Sequence, residues 1–371
     1  MVDVVIIGGG PAGLTAGTVL QRKGYKTCII DCQVFPREKL CAGVLTTKSI
    51  ELLKKIFKGI SLEKLALKNI NKITLLYNTR VIGEYTVSNA YSVINRKIFD
   101  NELLQYYRQV GGVIFEGEKK YEILYDKNMI RLDDGKTVQY HCLIGADGIN
   151  SKVRRYVQHS WKASILCFEE FIPNISNEDN IQIDFGGVLG GYFWRIPCED
   201  RIGIGLGELY IKGMKRNPRK YKSFFGKNGI EKKENFKGAF VSCGHFVRKP
   251  IKDNVLLVGD AAGLVDAMTG EGIFFAMESG KQAAVTIVNY FERGESLNAY
   301  LRRINTIHSK MREQCVYNKF LYAPIIRRLS LQYIRKNSKF VFRVLNNVIP
   351  TYRTGYTQEI LKNIKRKIKN R

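Results

Sequence analysis

The sequence predicts an α/β fold, with a Rossmann-like nucleotide-binding domain, an inserted antiparallel β-sheet lobe and a C-terminal helical tail. Residues 4–17, VVIIGGGPAGLTAG, combine an apolar run, a glycine-rich turn and a helix-forming segment, as the first βα unit of such a domain does. Later segments, such as 72–87 and 192–197, have the apolar, turn-bounded pattern of strands. Residues 311–371 interleave basic and apolar side chains, which is typical of amphipathic helices.

The first βα unit predicts a dinucleotide site. Its apolar residues 4–7 indicate a parallel strand that is buried on both faces. The glycines that follow match G-x-G-x-x-G, which allows a tight turn, a close pyrophosphate and a helix packed on the strand. The positions concerned are Gly8, Gly10, Pro11, Ala12 and Gly13. Asp31 ends a second apolar run 18 residues after Gly13, near the spacing of a ribose-binding carboxylate.

The chain is strongly basic. Its 371 residues include 60 Lys and Arg against 34 Asp and Glu, a formal net charge of +26. Such an excess favours an anionic partner, although a generally lysine-rich proteome would also produce it. Nucleic acid is not expected, because no helix-turn-helix, RRM or zinc pattern accompanies the charge. An anionic membrane surface, contacted through the C-terminal region, and a phosphorylated substrate are the anionic partners that remain.

The eight cysteines show no C-x-x-C pair and no zinc-like spacing, so we expect free thiols in a reducing compartment and no bound metal. The chain begins directly in a strand, without a leader pattern. No segment reaches the roughly 18–20 apolar residues that span a bilayer. The expected location is therefore cytoplasmic, with peripheral contact to the inner face of the cell membrane.

Two further motifs identify the dinucleotide. Residues 143–155, LIGADGINSKVRR, and 255–272, VLLVGDAAGLVDAMTGEG, follow the glycine loop in the order found in one flavoprotein family. The chain resembles this family, which includes aromatic hydroxylases, flavin-dependent halogenases and geranylgeranyl reductases. The resemblance implies bound FAD. The sequence has no second G-x-G-x-x-G and no redox-active cysteine pair of the glutathione reductase type, so NAD(P)H or another electron donor is expected to bind transiently.

The resemblance also assigns cofactor contacts. Arg96 matches an arginine that contacts the cofactor. Asp147 matches an acid near the flavin side chain and the pyridine nucleotide route. Asp260 matches the acid that hydrogen-bonds the ribityl chain. Gly272 and Ile273 open a helix whose N-terminus would stabilise negative charge on the reduced flavin ring. The full set of expected FAD contacts is Gly8, Gly10, Pro11, Ala12, Gly13, Asp31, Cys41, Ala42, Gly43, Arg96, Asp147, Asp260, Gly270, Gly272 and Ile273.

Residues 39–45, KLCAGVL, favour the geranylgeranyl reductase branch. They resemble the K-x-C-G-G element of these reductases, in which the cysteine lies beside the flavin ring. Ala42 replaces the first glycine of the element, and Gly43 keeps the second. Cys41 is therefore a candidate for the active site, although a small packing residue would fit the same position.

Residues 190–207, GGYFWRIPCEDRIGIGLG, resemble the reductase motif P-x-x-Y-x-W-x-F-P followed by G-x-G. Tyr192, Trp194 and Pro197 match it, whereas Leu189 and Ile196 replace a proline and a phenylalanine. Two aromatic rings on one strand face would form an apolar wall for a polyprenyl chain. The same segment resembles W-x-W-x-I-P of the halogenases, and the aromatics could also be plain sheet core.

Residues 269–280, TGEGIFFAMESG, resemble T-G-E-G-I-x-x-A-M-x-S-G of the reductases. Aromatic hydroxylases tend to have G-D-A-A-H and a proline a few residues later, but Gly263 and Ala267 occupy these positions. Ala267 also departs from the proline of the reductases. We identify no lysine that matches the one used by the halogenases.

These patterns predict three regions. A discontinuous FAD-binding domain comprises 1–60, 92–158 and 244–310, a β-sheet substrate lobe comprises 61–91 and 159–243, and a basic helical region comprises 311–371. The resemblance implies an FAD-dependent reductase of C=C bonds in an isoprenoid, geranylgeranyl-type lipid or a related hydrophobic small molecule, with Cys41, Tyr192 and Trp194 as candidate catalytic residues. A monooxygenase or halogenase acting through a flavin peroxide, and a non-catalytic electron-transfer flavoprotein, are the alternatives.

Overall fold

The computed structural model of the chain has two β-sheets, with helices packed against them. It describes residues 1–65, 68–159, 165–188, 190–209, 221, 224–226, 238–242, 244–322, 324–351 and 355–369. Leu189, which replaces the first proline of the reductase motif, lies outside these residues, as does much of the segment 210–237 of the predicted substrate lobe.

The strands are numbered along the chain. They are β1 Val2–Ile7, β2 Thr27–Asp31, β3 Val44–Leu45, β4 Lys68–Tyr77, β5 Arg80–Val93, β6 Val113–Glu116, β7 Tyr121–Leu124, β8 Met129–Leu132, β9 Thr137–Gly145, β10 Ile165–Pro173, β11 Asn180–Asp184, β12 Tyr192–Pro197, β13 Arg201–Leu209, β14 Gly238–Val241, β15 Ile251–Lys252 and β16 Val255–Leu257.

The helices are numbered in the same way. They are α1 Pro11–Gln21, α2 Thr47–Ile56, α3 Arg96–Gln109, α4 Arg154–Val157, α5 Ile273–Arg293, α6 Ala299–Tyr322, α7 Pro324–Lys336, α8 Ser338–Arg343, α9 Ile349–Thr351 and α10 Tyr356–Lys369. Single 3₁₀ turns lie at Glu63–Leu65, Tyr125–Lys127 and Gly259–Ala261, and a π-helical turn at Val344–Val348 joins α8 to α9.

The first sheet has a parallel centre in the order β16-β9-β1-β2-β6. Its middle strand β1 is buried from Val4 to Ile7, as the apolar run predicts for a strand covered on both faces. Helix α5 packs closely on α1, because a Cβ at Gly280 would lie only 2.3 Å from the carbonyl oxygen of Ala12. The carboxyl ends of these parallel strands share one edge, where α/β sheets bind their ligands.

The second sheet has the order β14-β10-β13-β12-β11-β4-β5-β3. Both inserted stretches contribute strands to it, and neighbouring strands are antiparallel except for β4 and β11, which run parallel. The predicted antiparallel lobe is confirmed, apart from this one parallel pair. The two strands come from different inserted stretches, so no hairpin turn between them dictates their relative direction.

Strand β3 connects the two sheets. It belongs to residues 1–60, which the sequence assigns to the cofactor domain, yet Val44 pairs with Val93 of β5 in the second sheet. The chain therefore passes from the first sheet to the second sheet just after Cys41. The predicted start of the basic tail, after residue 310, falls inside α6, so the tail continues a helix of the preceding region.

The tail is helical from α7 to α10, as predicted, and part of it packs on the second sheet. The side-chain oxygen Oδ1 of Asn346 accepts hydrogen bonds from the backbone N–H groups of Ser88 and Asn89, at 2.8 and 3.2 Å. Val341 joins the apolar cluster of that sheet. Among the helices that the structure describes, none is long and apolar enough to cross a membrane.

Candidate cofactor and active site

The glycine loop connects β1 to α1 at the carboxyl edge of the first sheet. Gly8 has φ +105°, and a Cβ there would lie 2.3 Å from the carbonyl oxygen of Ala146. A Cβ at Gly13 would lie 2.0 Å from the carbonyl oxygen of Gly8. Helix α1 begins at Pro11 and has no side-chain cap at Gly10, so its N-terminal N–H groups and dipole are available to a phosphate.

Asp31 ends β2 beside this loop and is buried. Its Oδ2 accepts the backbone N–H of Gly9 at 2.6 Å, and its Oδ1 accepts that of Gln33 at 2.8 Å. The carboxylate therefore fixes the loop, and it lies at the strand end next to the phosphate cradle, where a ribose carboxylate belongs.

Two arginines share one carboxylate near the same loop. Both Nε and Nη2 of Arg96 donate to the buried Asp100, at 2.8 and 2.7 Å, and Nη1 of Arg37 lies 3.3 Å from it. Burial is the strongest single influence on Arg96 and opposes its charge, but Asp100 and Cys41 together outweigh burial and raise the pKa of the guanidinium. Nη2 of Arg37 lies 3.8 Å from the Cβ position of Gly10. The cluster thus carries one excess positive charge beside the cradle, which suits a pyrophosphate.

Arg37 was not predicted as a site residue. Its signal in the sequence is weak, because a single arginine six residues after Asp31 fits no spacing rule. Its proximity to the loop depends on Asp100, which lies on α3, far along the chain.

Asp147, in the loop after β9, bonds within its own turn. Its Oδ1 accepts the Ser151 hydroxyl at 2.5 Å, and its Oδ2 accepts the N–H groups of Lys152 and Val153 at 2.6 and 3.3 Å. Burial raises the pKa of Asp147 despite these bonds. In this structure the side chain orders the GADG turn.

The loop after β16 carries Asp260 and faces the start of α5. Oδ1 of Asp260 lies 3.5 Å from the Cβ position of Gly272, the residue before Ile273, and α5 has no side-chain cap there. The buried Arg154 holds the loop by donating to the carbonyl oxygens of Asp260 and Ala261, at 3.3 and 3.1 Å. A carboxylate that can accept hydrogen bonds from hydroxyl groups therefore lies beside an uncapped helix N-terminus that can stabilise negative charge.

Tyr192 and Trp194 lie on the same face of β12, with ring centroids 5.9 Å apart. The Tyr192 hydroxyl donates to the carbonyl oxygen of Thr269 at 2.5 Å, and it lies 3.3 Å from the Cβ position of Gly270. The bond ties the second sheet to the loop that precedes α5. Both rings pack in one apolar cluster of the second sheet, so the structure places the predicted wall next to the predicted flavin helix.

Cys41 lies where the chain passes between the sheets. Its Sγ accepts the backbone N–H of Gly43 at 3.3 Å and interacts with the guanidinium of Arg96. Gly43 has φ +73°, and a Cβ there would lie 2.3 Å from the carbonyl oxygen of Ile94. Ala42 packs against the same apolar cluster as Trp194. The half-buried thiol therefore lies between the arginine cluster and the aromatic wall.

Two buried ionisable groups of this region were not predicted. Glu169 on β10 accepts the indole N–H of Trp194 at 3.0 Å, and burial raises its pKa to about 7. Lys48 on α2 forms a buried ion pair with Glu271, at 2.6 Å between Nζ and Oε2. Burial lowers the pKa of Lys48 to about 8, against the influence of Glu271. Only Glu169 had a signal in the sequence, as a charged residue in the mostly apolar segment 165–173.

The candidate site begins at the glycine loop, Asp31 and the arginine cluster. It continues through Cys41 to the aromatic wall. Its other end is Asp260 at the start of α5. The contacts reported above connect these groups in sequence around the junction of the two sheets. Clefts at such junctions are the usual place for a cofactor and a small-molecule substrate.

Comparisons with known proteins agree with this geometry. Residues 1–171 match the family described as FAD binding domain. An uncharacterized protein of Methanosarcina barkeri is 30% identical over 301 residues, 79% of this chain and 76% of that protein. The digeranylgeranylglycerophospholipid reductase of Methanococcus vannielii is 29% identical over 88% of this chain and 87% of its own.

Solved structures share the fold. A geranylgeranyl bacteriochlorophyll reductase-like protein of Thermoplasma acidophilum has a TM-score of 0.77 at 20% identity, covering 98% of this chain and 95% of its own. A flavin-dependent brominase variant has a TM-score of 0.73 at 16% identity, with full coverage of both chains.

The FAD binding domain and the fold define an FAD-dependent oxidoreductase. The chain belongs to the geranylgeranyl reductase family of these flavoproteins.

Proposed function

We propose that this protein is an FAD-dependent reductase that saturates C=C bonds of an isoprenoid lipid of the geranylgeranyl type. The observation that carries the proposal is the apolar wall of Tyr192 and Trp194, tied by the hydroxyl of Tyr192 to the loop before α5. A relative that matches most of the chain is named as a digeranylgeranylglycerophospholipid reductase, which agrees with a polyprenyl substrate.

When bound, FAD in its reduced form supplies the hydride for the alkene. The residues of the chain would hold cofactor and substrate together: the glycine loop, Arg37 and Arg96 would bind the cofactor phosphates, and Asp260 would bind its polar side chain. The aromatic rings bind the substrate chain and exclude water, because an isolated alkene reacts only when it is held close in a dry pocket.

A proton must reach the second alkene carbon. The hydroxyl proton of Tyr192 is engaged by the carbonyl oxygen of Thr269, which makes Tyr192 a poor donor. The thiol of Cys41 lies between the arginine cluster and the wall, so Cys41 is the better candidate. Reducing equivalents come from NAD(P)H or another carrier that binds transiently.

The decisive experiment is an anaerobic half-reaction. The purified protein is reduced without oxygen, a geranylgeranyl lipid is added, and the visible flavin band is recorded. Return of the band, together with a saturated product in the mass spectrum, is the expected result. A band that stays bleached with the lipid but returns rapidly with oxygen, through a transient peroxide spectrum, would contradict the proposal.

The second candidate is a monooxygenase or halogenase that acts through a flavin peroxide. Ile196 favours it, because the segment around it also resembles the halogenase motif, and the fold of a brominase matches this chain closely. Oxygen is a substrate only in this second case, so the anaerobic experiment separates the two. An electron-transfer flavoprotein would show flavin turnover with no altered lipid.

We also propose that the C-terminal region docks on an anionic membrane surface. Large apolar side chains are exposed on its helices, with exposed fractions of 64% at Leu329, 37% at Phe342 and 51% at Leu361, among many Lys and Arg residues. Basic amphipathic helices of this kind bind anionic interfaces. Cosedimentation with anionic vesicles is expected and should weaken with salt. Equal cosedimentation with neutral vesicles would exclude the electrostatic part of the proposal.

A further inference from the structure

Glu169 and Trp194 lie on two strands of the second sheet, β10 and β12, that are separated by a single strand, β13. Glu169 on β10 pairs with Gly205 on β13, and Gly205 pairs with Trp194 on β12. A Cβ at Gly205 would lie 2.3 Å from Cζ2 of Trp194, so the absence of a side chain there lets the indole lie flat over β13. The indole N–H then reaches Oε1 of Glu169 at 3.0 Å.

The Glu169 carboxyl is only 2% exposed. Its second oxygen, Oε2, is buried and has no hydrogen-bond partner among the described residues. The backbone N–H of Cys41 also approaches this carboxyl and favours its charged form. Glu169 therefore contacts the indole of Trp194 and lies near the backbone of Cys41.

Several groups act on the charge of this carboxyl. Burial opposes the charged form most strongly, and Glu170 on the same strand adds to that effect. Trp194 on β12, the N–H of Cys41 and Arg201 on β13 favour it. The neighbouring thiol of Cys167 is neutral, since burial raises its pKa to about 12. The balance leaves the Glu169 pKa at about 7, so both protonation states exist near neutral pH.

We propose that Glu169 is a positioning residue of this active site, which holds the Trp194 indole in place and tightens that hold when it ionises. A carboxylate accepts a stronger hydrogen bond from an indole N–H than a neutral carboxyl does. Ionisation therefore changes the wall against which the substrate lies. The consequence for turnover rests on the proposed function, whereas the contact itself does not.

The contact is tested on the oxidised, FAD-loaded protein labelled with ¹⁵N-tryptophan. The chain has only two tryptophans, Trp161 and Trp194, and W194F assigns the indole signals. We expect the Trp194 indole signal to titrate with a midpoint of about 7, and Glu169→Gln to remove that titration. A Trp194 signal that is constant between about pH 5 and pH 9, or that titrates equally in E169Q, would overturn the proposal.

Glu170→Gln is the matched control, because it removes the same charge from the adjacent position of β10, which points to the opposite face. The titration should persist in E170Q with a lower midpoint, since Glu170 raises the pKa of Glu169. Loss of the titration in E170Q would mean that Glu169 is not the group observed.

The role in turnover is tested with the anaerobic lipid reaction. We expect the kcat of the wild-type protein to follow an ionisation near pH 7, and that of E169Q to lose it with KM unchanged. Glu169→Ala, which cannot hold the indole, should lower kcat roughly tenfold or more, and E169Q should recover part of that loss. A wild-type protein that titrates but does not reduce the lipid contradicts the proposed function alone. Equal pH profiles in the wild-type protein and E169Q contradict the positioning role alone.

Discussion

At the residue scale, the aromatic wall depends on a few contacts around Trp194. The ring is 8% exposed, lies over Gly205 and donates to a buried carboxylate. An apolar face therefore contains one polar bond that fixes the ring orientation. A buried hydrogen bond of this kind favours a single packing arrangement of the core, because any other arrangement would leave the polar atom without a partner.

Trp194→Ala tests the wall directly. Loss of the ring should open a cavity in the aromatic wall, leave Oε1 of Glu169 without its indole donor and lower turnover by roughly tenfold to a hundredfold, while FAD stays bound. Turnover and the flavin-to-protein absorbance ratio measure the two effects. Trp194→Phe keeps the apolar surface but not the hydrogen bond and should lose less. Loss of FAD from W194A would instead place the ring at the cofactor.

Glu169 also makes a pH-dependent contribution to stability. Burial raises its pKa from 4.5 to about 7 in the folded protein, so the native state holds more protons than the unfolded state between these values. The contribution of Glu169 to the free energy of unfolding is therefore greatest below about pH 4.5, and it is lost as the pH rises to about 7. E169Q should therefore melt roughly 2 °C above the wild-type protein at pH 8 and at a similar temperature at pH 5. The opposite order at pH 8 would contradict the burial argument.

At the element scale, the strand, glycine loop and helix of the first βα unit were predictable from local spacing. Residues 4–17 contain all of the required positions, and the structure has β1, the loop and α1 there. The helix α5 after the third motif was also predicted from Gly272 onward. The conformation of these elements depends on residues that are close in sequence. Their pattern can therefore be recognised from the sequence before the tertiary structure is known.

The glycine loop offers a matched pair of substitutions. A Cβ at Gly10 would meet only Nη2 of Arg37, at 3.8 Å, whereas one at Gly13 would lie 2.0 Å from the carbonyl oxygen of Gly8. Gly10→Ala should change the stability of the FAD-free protein by about 1 kcal/mol or less but weaken FAD binding at least tenfold. Gly13→Ala should impair both. Denaturant unfolding and FAD titration check this, and unchanged FAD affinity in G10A would place the pyrophosphate elsewhere.

The buried ion pair of Lys48 and Glu271 was not predictable from its element. Its two partners lie on α2 and in the loop before α5, and Oε1 of Glu271 also accepts the Thr46 hydroxyl at 2.7 Å across 225 positions of sequence. Nothing in the local sequence pattern indicates that these residues meet.

At the scale of the whole molecule, the C-terminal helices complete the fold. Nε2 of Gln314 on α6 donates to the buried Asp266 at 2.7 Å, in the loop before α5, and Nζ of Lys48 donates to the carbonyl oxygen of Ile349 at 3.1 Å. Asn346 binds β5. The tail therefore supports the candidate site from outside.

Removal of residues 337–371 tests this support. The shortened chain loses the bonds of Asn346 and the buried side chains of Val341 and Val348, so it should unfold at a lower temperature and release FAD more readily. The control is Leu329→Ser with Leu361→Ser, which removes exposed apolar side chains and should leave melting and FAD unchanged. A truncated protein as stable as the full chain would show that the tail is an independent appendage.

The sequence by itself determined the cofactor domain, the order of the glycine, GADG and GDAAG motifs, and the strand that carries Tyr192 and Trp194. These features depend on spacing over a few residues, where backbone geometry is local. Only the tertiary structure decided that Glu169 meets Trp194, that Arg37 and Arg96 share Asp100, and that β4 and β11 run parallel. Such contacts join elements that are separate in the chain, and packing of the complete fold selects them among many compatible pairs.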